Sequence, residues 1–154
     1  MSLLPLIYLV CAVSVVTLAG FSRDSAKFWL SIVLLWAWTA ANFCVYRWGW
    51  TGAPLYLAWF ELGMGILSAG IGYMSRSYIA LIVTVLFGAQ EVVQLGAFMA
   101  TMQGSTPYYV GLNLVYIAQL LVVGGASVGS LRLDRLARIR QLNPLHLHSR
   151  AHRR

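Results

Sequence analysis

Apolar and polar positions divide the chain into five long apolar runs joined by short polar links. Each run approaches or exceeds the roughly 20 residues that a helix needs to cross a bilayer. The pattern therefore predicts an all-α, polytopic integral membrane protein with five transmembrane helices and short loops. Their expected bounds are 3–20, 26–46, 54–74, 77–102 and 108–129, which gives a helical bundle over 1–130 and a tail over 131–154.

The links between the runs carry recognisable helix starts and stops. Gly49, Gly52 and Pro54 separate the second and third runs, and glycine and proline are typical breakers of a helix. Ser25 is the expected N-cap of the second helix. The first run lacks the positively charged start and the small-residue cleavage site of a signal peptide, so it is interpreted as a retained transmembrane helix.

Composition supports a location in a membrane. The chain has 154 residues, of which 60% are hydrophobic and 10% are charged, and its mean hydropathy is +0.74. Soluble domains average about 25% charged residues, so this chain has too little polar surface to cover a soluble globule. A single domain in a bacterial inner membrane, or an equivalent membrane, is the prediction.

Positive charge is concentrated at the C-terminal end. Seven arginines follow Leu131, and only Asp134 opposes them, which gives the tail a charge of +6 out of a formal +7 for the chain. A basic segment beside an apolar run favours anionic lipid headgroups or a partner protein over nucleic acid. The predicted contact residues are Arg132, Arg135, Arg138 and Arg140.

The basic residues also predict an orientation. If the tail is cytoplasmic, Arg23, Lys27 and Arg76 lie on the same side of the membrane as the tail, and the other side holds only Arg47. Basic residues accumulate in cytoplasmic loops. With five crossings, the N-terminus is expected outside and the C-terminus inside.

Two acidic residues lie within the apolar runs. Glu61 is 15 residues before Arg76 in the sequence, and Glu91 is 15 residues after it. If both runs are helices that turn back at Arg76, their equal rise per residue places the two acids at the same depth. An ionised side chain at the bilayer centre costs roughly 2.5–3.5 kcal/mol on insertion scales, so these acids need partners or protons.

Three glutamines are predicted to lie near these acids. Gln90 and Gln94 lie on the same face of the fourth helix as Glu91, since 100° of rotation per residue brings them within one third of its circumference. Gln119 is as far after the next turn as Gln90 is before it. The sequence therefore predicts a midplane layer of Glu61, Gln90, Glu91 and Gln119, which together with Gln94 is the candidate pore, proton or cation site.

Small residues accompany the acid on the third helix. Spacings of three and four residues let two helices approach closely. The predicted packing positions are Gly65, Ser68, Ala69 and Gly72 beside Glu61, and Gly124 and Gly125 on the fifth helix.

Enzymatic motifs are missing from the sequence. It has no Walker loop, HExxH, nucleophile elbow or CxxC motif. All three histidines lie in the tail, so none is placed to bind haem inside the membrane, and Cys11 and Cys44 have no neighbouring ligand with which to build a metal site. We expect neither an enzyme nor a cofactor or metal centre.

Several functions are compatible with this pattern. The layout is similar to that of holin-like proteins, which are small, almost loop-free and end in a basic tail, although no motif supports the resemblance. It implies a self-associating pore or permeability path. The alternatives are a structural or accessory subunit of a larger membrane complex, and a small proton- or cation-coupled transporter. In the simplest interpretation a neutral Glu61 only holds the bundle together.

Overall fold

The protein is all-helical, as predicted. The computed structural model describes residues 4–22, 24–100 and 106–151, which form four helical elements. These are α1 (Leu4–Phe21), α2 (Ser25–Ser75), α3 (Tyr78–Met99) and α4 (Thr106–Ala151).

Four helical segments are long and apolar enough to cross a membrane. They are Ser25–Cys44, Tyr56–Ser75, Tyr78–Met99 and Tyr108–Ile139. The apolar part of α1, Leu6–Phe21, is shorter than these four segments. The described part of the chain therefore has the character of an integral membrane protein.

Element α2 reverses direction near residue 50. A straight helix of its 51 residues would hold its ends about 75 Å apart. Instead, Cys44 packs against Leu57, and Ser25 lines the same groove as Ser75. The segments Ser25–Cys44 and Tyr56–Ser75 are thus two antiparallel arms, called here the first and second arm of α2.

The predicted break between the second and third helices is therefore a change of direction. The backbone remains helical through residues 45–55, whereas the sequence predicts two separate helices ending at 46 and beginning at 54. Glycine and proline are tolerated where a helix bends sharply, because proline lacks only one donor and glycine has no Cβ.

The ends of the elements differ from prediction in specific ways. Asp24, rather than Ser25, is the N-cap of α2, and its side chain accepts hydrogen bonds from the backbone N–H groups of Ala26 and Lys27. Arg76 ends the second arm in the left-handed region, with φ of 52°. Its backbone N–H donates to the Gly72 carbonyl, which closes the last turn.

Elements α3 and α4 also depart from their expected bounds. The helix of α3 stops at Met99, three residues before the predicted end, and residues 101–105 lie outside the described part. The backbone of α4 begins at Thr106, where Pro107 suits the first turn of a helix. It continues as a helix past the expected end at residue 129 and into the basic tail.

All elements contribute to one apolar core. Its most deeply buried side chains include Leu30 and Leu34 from the first arm, Val83 and Phe87 from α3, and Val123 from α4. Large apolar side chains also cover the outside of the bundle, and three of the tryptophans are among them. A surface of this kind matches a lipid environment better than water.

One end of the bundle holds Lys27 and Arg76, two of the described basic residues. The Lys27 ammonium donates to the Ser130 hydroxyl and pairs with Asp24, with 2.9 Å between Nζ and Oδ2. Arg76 lies at the same end, because Ser25 and Ser75 line one groove. Arg47 is near the reversal of α2, at the opposite end. We call the end that carries Lys27 and Arg76 the basic end.

Candidate functional site

Close packing between the second arm and α3 sets the register of the site. A Cβ placed on Gly72 would lie 3.1 Å from the Cβ of Ala80, and one on Gly65 would lie 3.4 Å from the Cβ of Phe87. In both contacts the two residues are nearly equidistant in sequence from Arg76. Antiparallel packing in this register places Glu61 opposite the α3 turn that begins at Gln90.

Glu61 lies in the interior of the bundle, with 2% of its surface exposed. Gln90 donates from Nε2 to Glu61 Oε1 at 2.7 Å. Gln94, one turn further along α3, donates from Nε2 to Glu61 Oε2 at 2.5 Å. Each carboxyl oxygen thus has its own amide donor, and both donors come from α3.

A third glutamine connects this pair to α4. Gln119 is fully buried, and its Nε2 donates to Gln90 Oε1 at 3.4 Å. The hydrogen bonds therefore run from α4 through α3 to the second arm. We call Glu61, Gln90, Gln94 and Gln119 the polar layer.

Glu91 is at the predicted depth but outside this network. It is half-buried and lies with Glu61 in the lining of a cavity of about 220 Å³ between the second arm and α3. One position on α3 rotates a side chain by 100°, which turns Glu91 away from the interior face that holds Gln90. Its Oε1 has no hydrogen-bond partner among the described residues.

No basic side chain neutralises Glu61 within the described part of the chain. The ion pair found there joins Lys27 to Asp24, at the basic end of the bundle. The partners of Glu61 are neutral amides, which can stabilise a carboxylate but cannot balance its charge.

Several buried oxygens close to the layer remain unsatisfied. Gln94 Oε1, Gln119 Oε1 and the Tyr108 hydroxyl have no hydrogen-bond partner in the described part of the chain. All three side chains are more than nine-tenths buried. The sequence analysis missed Tyr108, because an aromatic residue at the start of a helix resembles an interface anchor.

The predicted packing positions divide into two groups. Gly65, Gly72 and Gly124 lie at helix contacts, and a Cβ on Gly124 would be 3.2 Å from Val15 Cγ2. Ser68 is fully buried in the same face as Gly65 and Gly72.

Ala69 and Gly125 are exposed on the surface of the single chain. Ala69 is exposed beside the cavity that Glu61 and Glu91 line. Gly125 is exposed, and nothing lies within 4 Å of a Cβ placed on it. Each follows a contact residue directly, so the 100° step of a helix turns it outward. The role of these two as packing residues stays a prediction.

The arginines of the tail begin on an exposed helix. Arg132, Arg135 and Arg138 are exposed on α4, and the side chain of Arg140 lies outside the described residues. Lys27 was predicted only as a flanking charge, yet it is buried and joins the start of α2 to α4. The sequence gives no signal for that burial, which depends on where α4 passes.

In comparisons with known proteins, no family model, curated protein or solved structure matches the chain. Its chemistry must therefore be inferred from the site itself. The described residues hold no group of three or more histidine, cysteine or acidic side chains that could bind a metal ion. What they do hold is a buried carboxyl group, surrounded by amide and hydroxyl groups, inside an apolar bundle.

Proposed function

We propose that this chain is an integral membrane protein that provides a path for protons or small cations, with Glu61 as the group that carries the charge. The observation that supports it is a buried acid without a basic partner in the described chain. A carboxyl group in that position must bind a proton or a cation to become neutral. Intramembrane acids of this kind mark proton and ion pathways.

The path that we propose lies within one bundle. All four members of the polar layer are buried inside a single chain. A wide holin-like pore between copies would need these side chains to line a shared lumen instead. The cavity beside Glu61 and Glu91 gives the interior acid a route to the surface of the bundle.

The proposal includes the membrane topology. Five crossings, with α1 as the first, would place the basic end and the α4 arginines in the cytoplasm and the N-terminus outside. Reporter fusions at the C-terminus test this orientation, because alkaline phosphatase is active only outside the cytoplasm. An active phosphatase fusion at the tail would contradict it.

Flux in liposomes tests the function. The purified chain is reconstituted with a pH-sensitive dye inside, and a potassium gradient with valinomycin sets the voltage. We expect proton or sodium flux in the wild type and at least a hundredfold loss in Glu61→Gln. Equal flux in Glu61→Gln and wild type would refute the proposal, and release of a large trapped dye would indicate a wide pore instead.

A second candidate is supported by a different surface. A groove of about 770 Å³ separates the two arms of α2, and Trp29, Trp36 and Met64 are among its lining residues. A helix of a larger membrane complex could occupy this groove, which would make the chain an accessory subunit. A partner that copurifies stoichiometrically, and is lost from Trp36→Ala, would favour this function.

A further inference from the structure

The unsatisfied oxygens near Glu61 suggest what the site binds. A proton on Glu61 would neutralise the acid, and a turned Gln94 amide could accept its hydrogen bond, but the Tyr108 hydroxyl and Gln119 Oε1 would still lack partners in the described chain. Buried polar atoms rarely stay unpaired in folded proteins. A ligand that accepts electron density from oxygen would satisfy the acid and these atoms together.

These atoms belong to the same part of the bundle. The nitrogen of the Gln94 amide already donates to Glu61, so its oxygen lies one amide width from that hydrogen bond. Gly111, one turn after Tyr108 on α4, packs against α3 beside Gln94, since a Cβ placed on it would lie 3.2 Å from Val93 Cγ1. Gln119 Oε1 continues the set of unpaired oxygens toward α4, beyond Gln90.

We propose that Glu61, Gln94 and Tyr108 form a binding site for one dehydrated monovalent cation, such as sodium or potassium. This inference rests on the proposed function and names the species that the path carries. One carboxylate with neutral carbonyl and hydroxyl oxygens provides a single negative charge and replaces the water around a hard cation. Divalent ions and transition metals prefer more carboxylates, or nitrogen and sulfur ligands.

The orientation of the two amides favours an ionised Glu61, which a bound cation would neutralise. Both amides that contact Glu61 present N–H groups to it, which suits a carboxylate and not a protonated acid. Their donors hold the carboxylate in place. The cavity of about 220 Å³ that Glu61 lines gives the ion a way in from the side of Glu91.

Calorimetry on the full-length chain in detergent tests the site, with sodium or potassium chloride titrated into a choline buffer. We expect saturable binding of one ion per chain in the wild type and none in Glu61→Gln. Tyr108→Phe removes one oxygen and should raise the Kd about tenfold. Tyr116→Phe is the matched control, because its buried hydroxyl donates to the Leu34 carbonyl and not to this site.

The outcomes distinguish failure of the cation site from failure of the proposed function. An unchanged Kd in Tyr108→Phe would overturn the assignment of the site, since that variant keeps the ring and its packing. If the wild type binds neither ion but conducts protons through Glu61, the cation site is wrong and the proposed function stands. If flux does not depend on Glu61, both proposals fail.

Discussion

Among the described residues, two charged side chains, Lys27 and Glu61, are buried, and their surroundings differ. Lys27 lies at the basic end, where Asp24 provides an opposite charge and Ser130 accepts a hydrogen bond. Glu61 is more deeply buried and has only the neutral amides of Gln90 and Gln94. Lys27 is neutralised by the described chain itself, whereas Glu61 needs a proton or an ion from outside.

This difference separates a structural charge from a candidate functional one. The ion pair of Lys27 and Asp24 is complete at the start of α2, and Lys27 also donates a hydrogen bond to Ser130 on α4. A carboxyl group with donors but without an opposite charge changes its state when a proton or cation arrives. Variants at these two places should therefore show different effects.

The largest effect on stability is expected at the polar layer. Glu61→Leu leaves the buried amide donors of Gln90 and Gln94 without an acceptor, which should cost about 3 kcal/mol of unfolding free energy. Glu61→Gln should cost under about 1 kcal/mol, because the Gln94 amide can turn and present its unpaired oxygen. Unfolding in detergent measures both, and equal losses would contradict the donor arrangement.

At the basic end, the loss of the Asp24 charge should lower the unfolding free energy more than the loss of the Lys27 charge. Asp24→Asn keeps a good N-cap but leaves the Lys27 ammonium unpaired, which should cost about 2 kcal/mol after allowance for the partial exposure of Asp24. Lys27→Met removes the charge and keeps an apolar stem of similar shape, with an expected cost under about 1 kcal/mol. The same unfolding assay compares them, and a larger loss in Lys27→Met would reverse this interpretation.

The register between the second arm and α3 can be tested with two glycines. Gly72→Leu must push α3 away, because Ala80 already lies against this position, and overpacking should cost about 1–2 kcal/mol. Gly70→Leu is the control, since nothing lies within 4 Å of a Cβ placed there. Gly72→Leu should also weaken flux by misplacing Glu61. Equal stability and flux in the two variants would exclude the contact between the second arm and α3 as the feature that sets the register.

The smallest effect is a pH dependence at the basic end. Partial burial alone would raise the pKa of Asp24, but hydrogen bonds and the charge of Lys27 outweigh it and lower the pKa below its ordinary value. A lowered pKa stabilises the fold above the ordinary pKa of about 3.9, and that stability is lost as the pH falls through the lowered value. Thermal unfolding between pH 6 and 3 should show a decline that Asp24→Asn reduces, and an identical decline in both proteins would exclude Asp24 as its source.

Counting along the sequence predicted depth better than direction. The equal spacing of Glu61 and Glu91 from Arg76 predicted their common level, and the spacing about the next turn predicted that Gln119 lies level with Gln90, which it contacts. Depth follows from helical rise alone. Which way a side chain points depends on how neighbouring helices pack, so the outward turn of Glu91 was not predicted.

The residues that the sequence did not reveal depend on a third helix. Lys27 is buried only because α4 passes beside it and offers Ser130. Tyr108 is buried although it begins the apolar part of α4. In both cases the burial results from contacts between distant segments, which the periodicity of a single segment does not report.

The length of α4 has a mechanical consequence. Its 46 helical residues would span about 70 Å if the helix were straight, more than twice the thickness of the hydrocarbon core of a bilayer. Gln119 and the first tail arginine, Arg132, are fixed on that helix about 20 Å apart. A displacement of the helix at Arg132 is therefore carried along α4 to Gln119 and its contact with Gln90, the longest hydrogen bond in the layer at 3.4 Å.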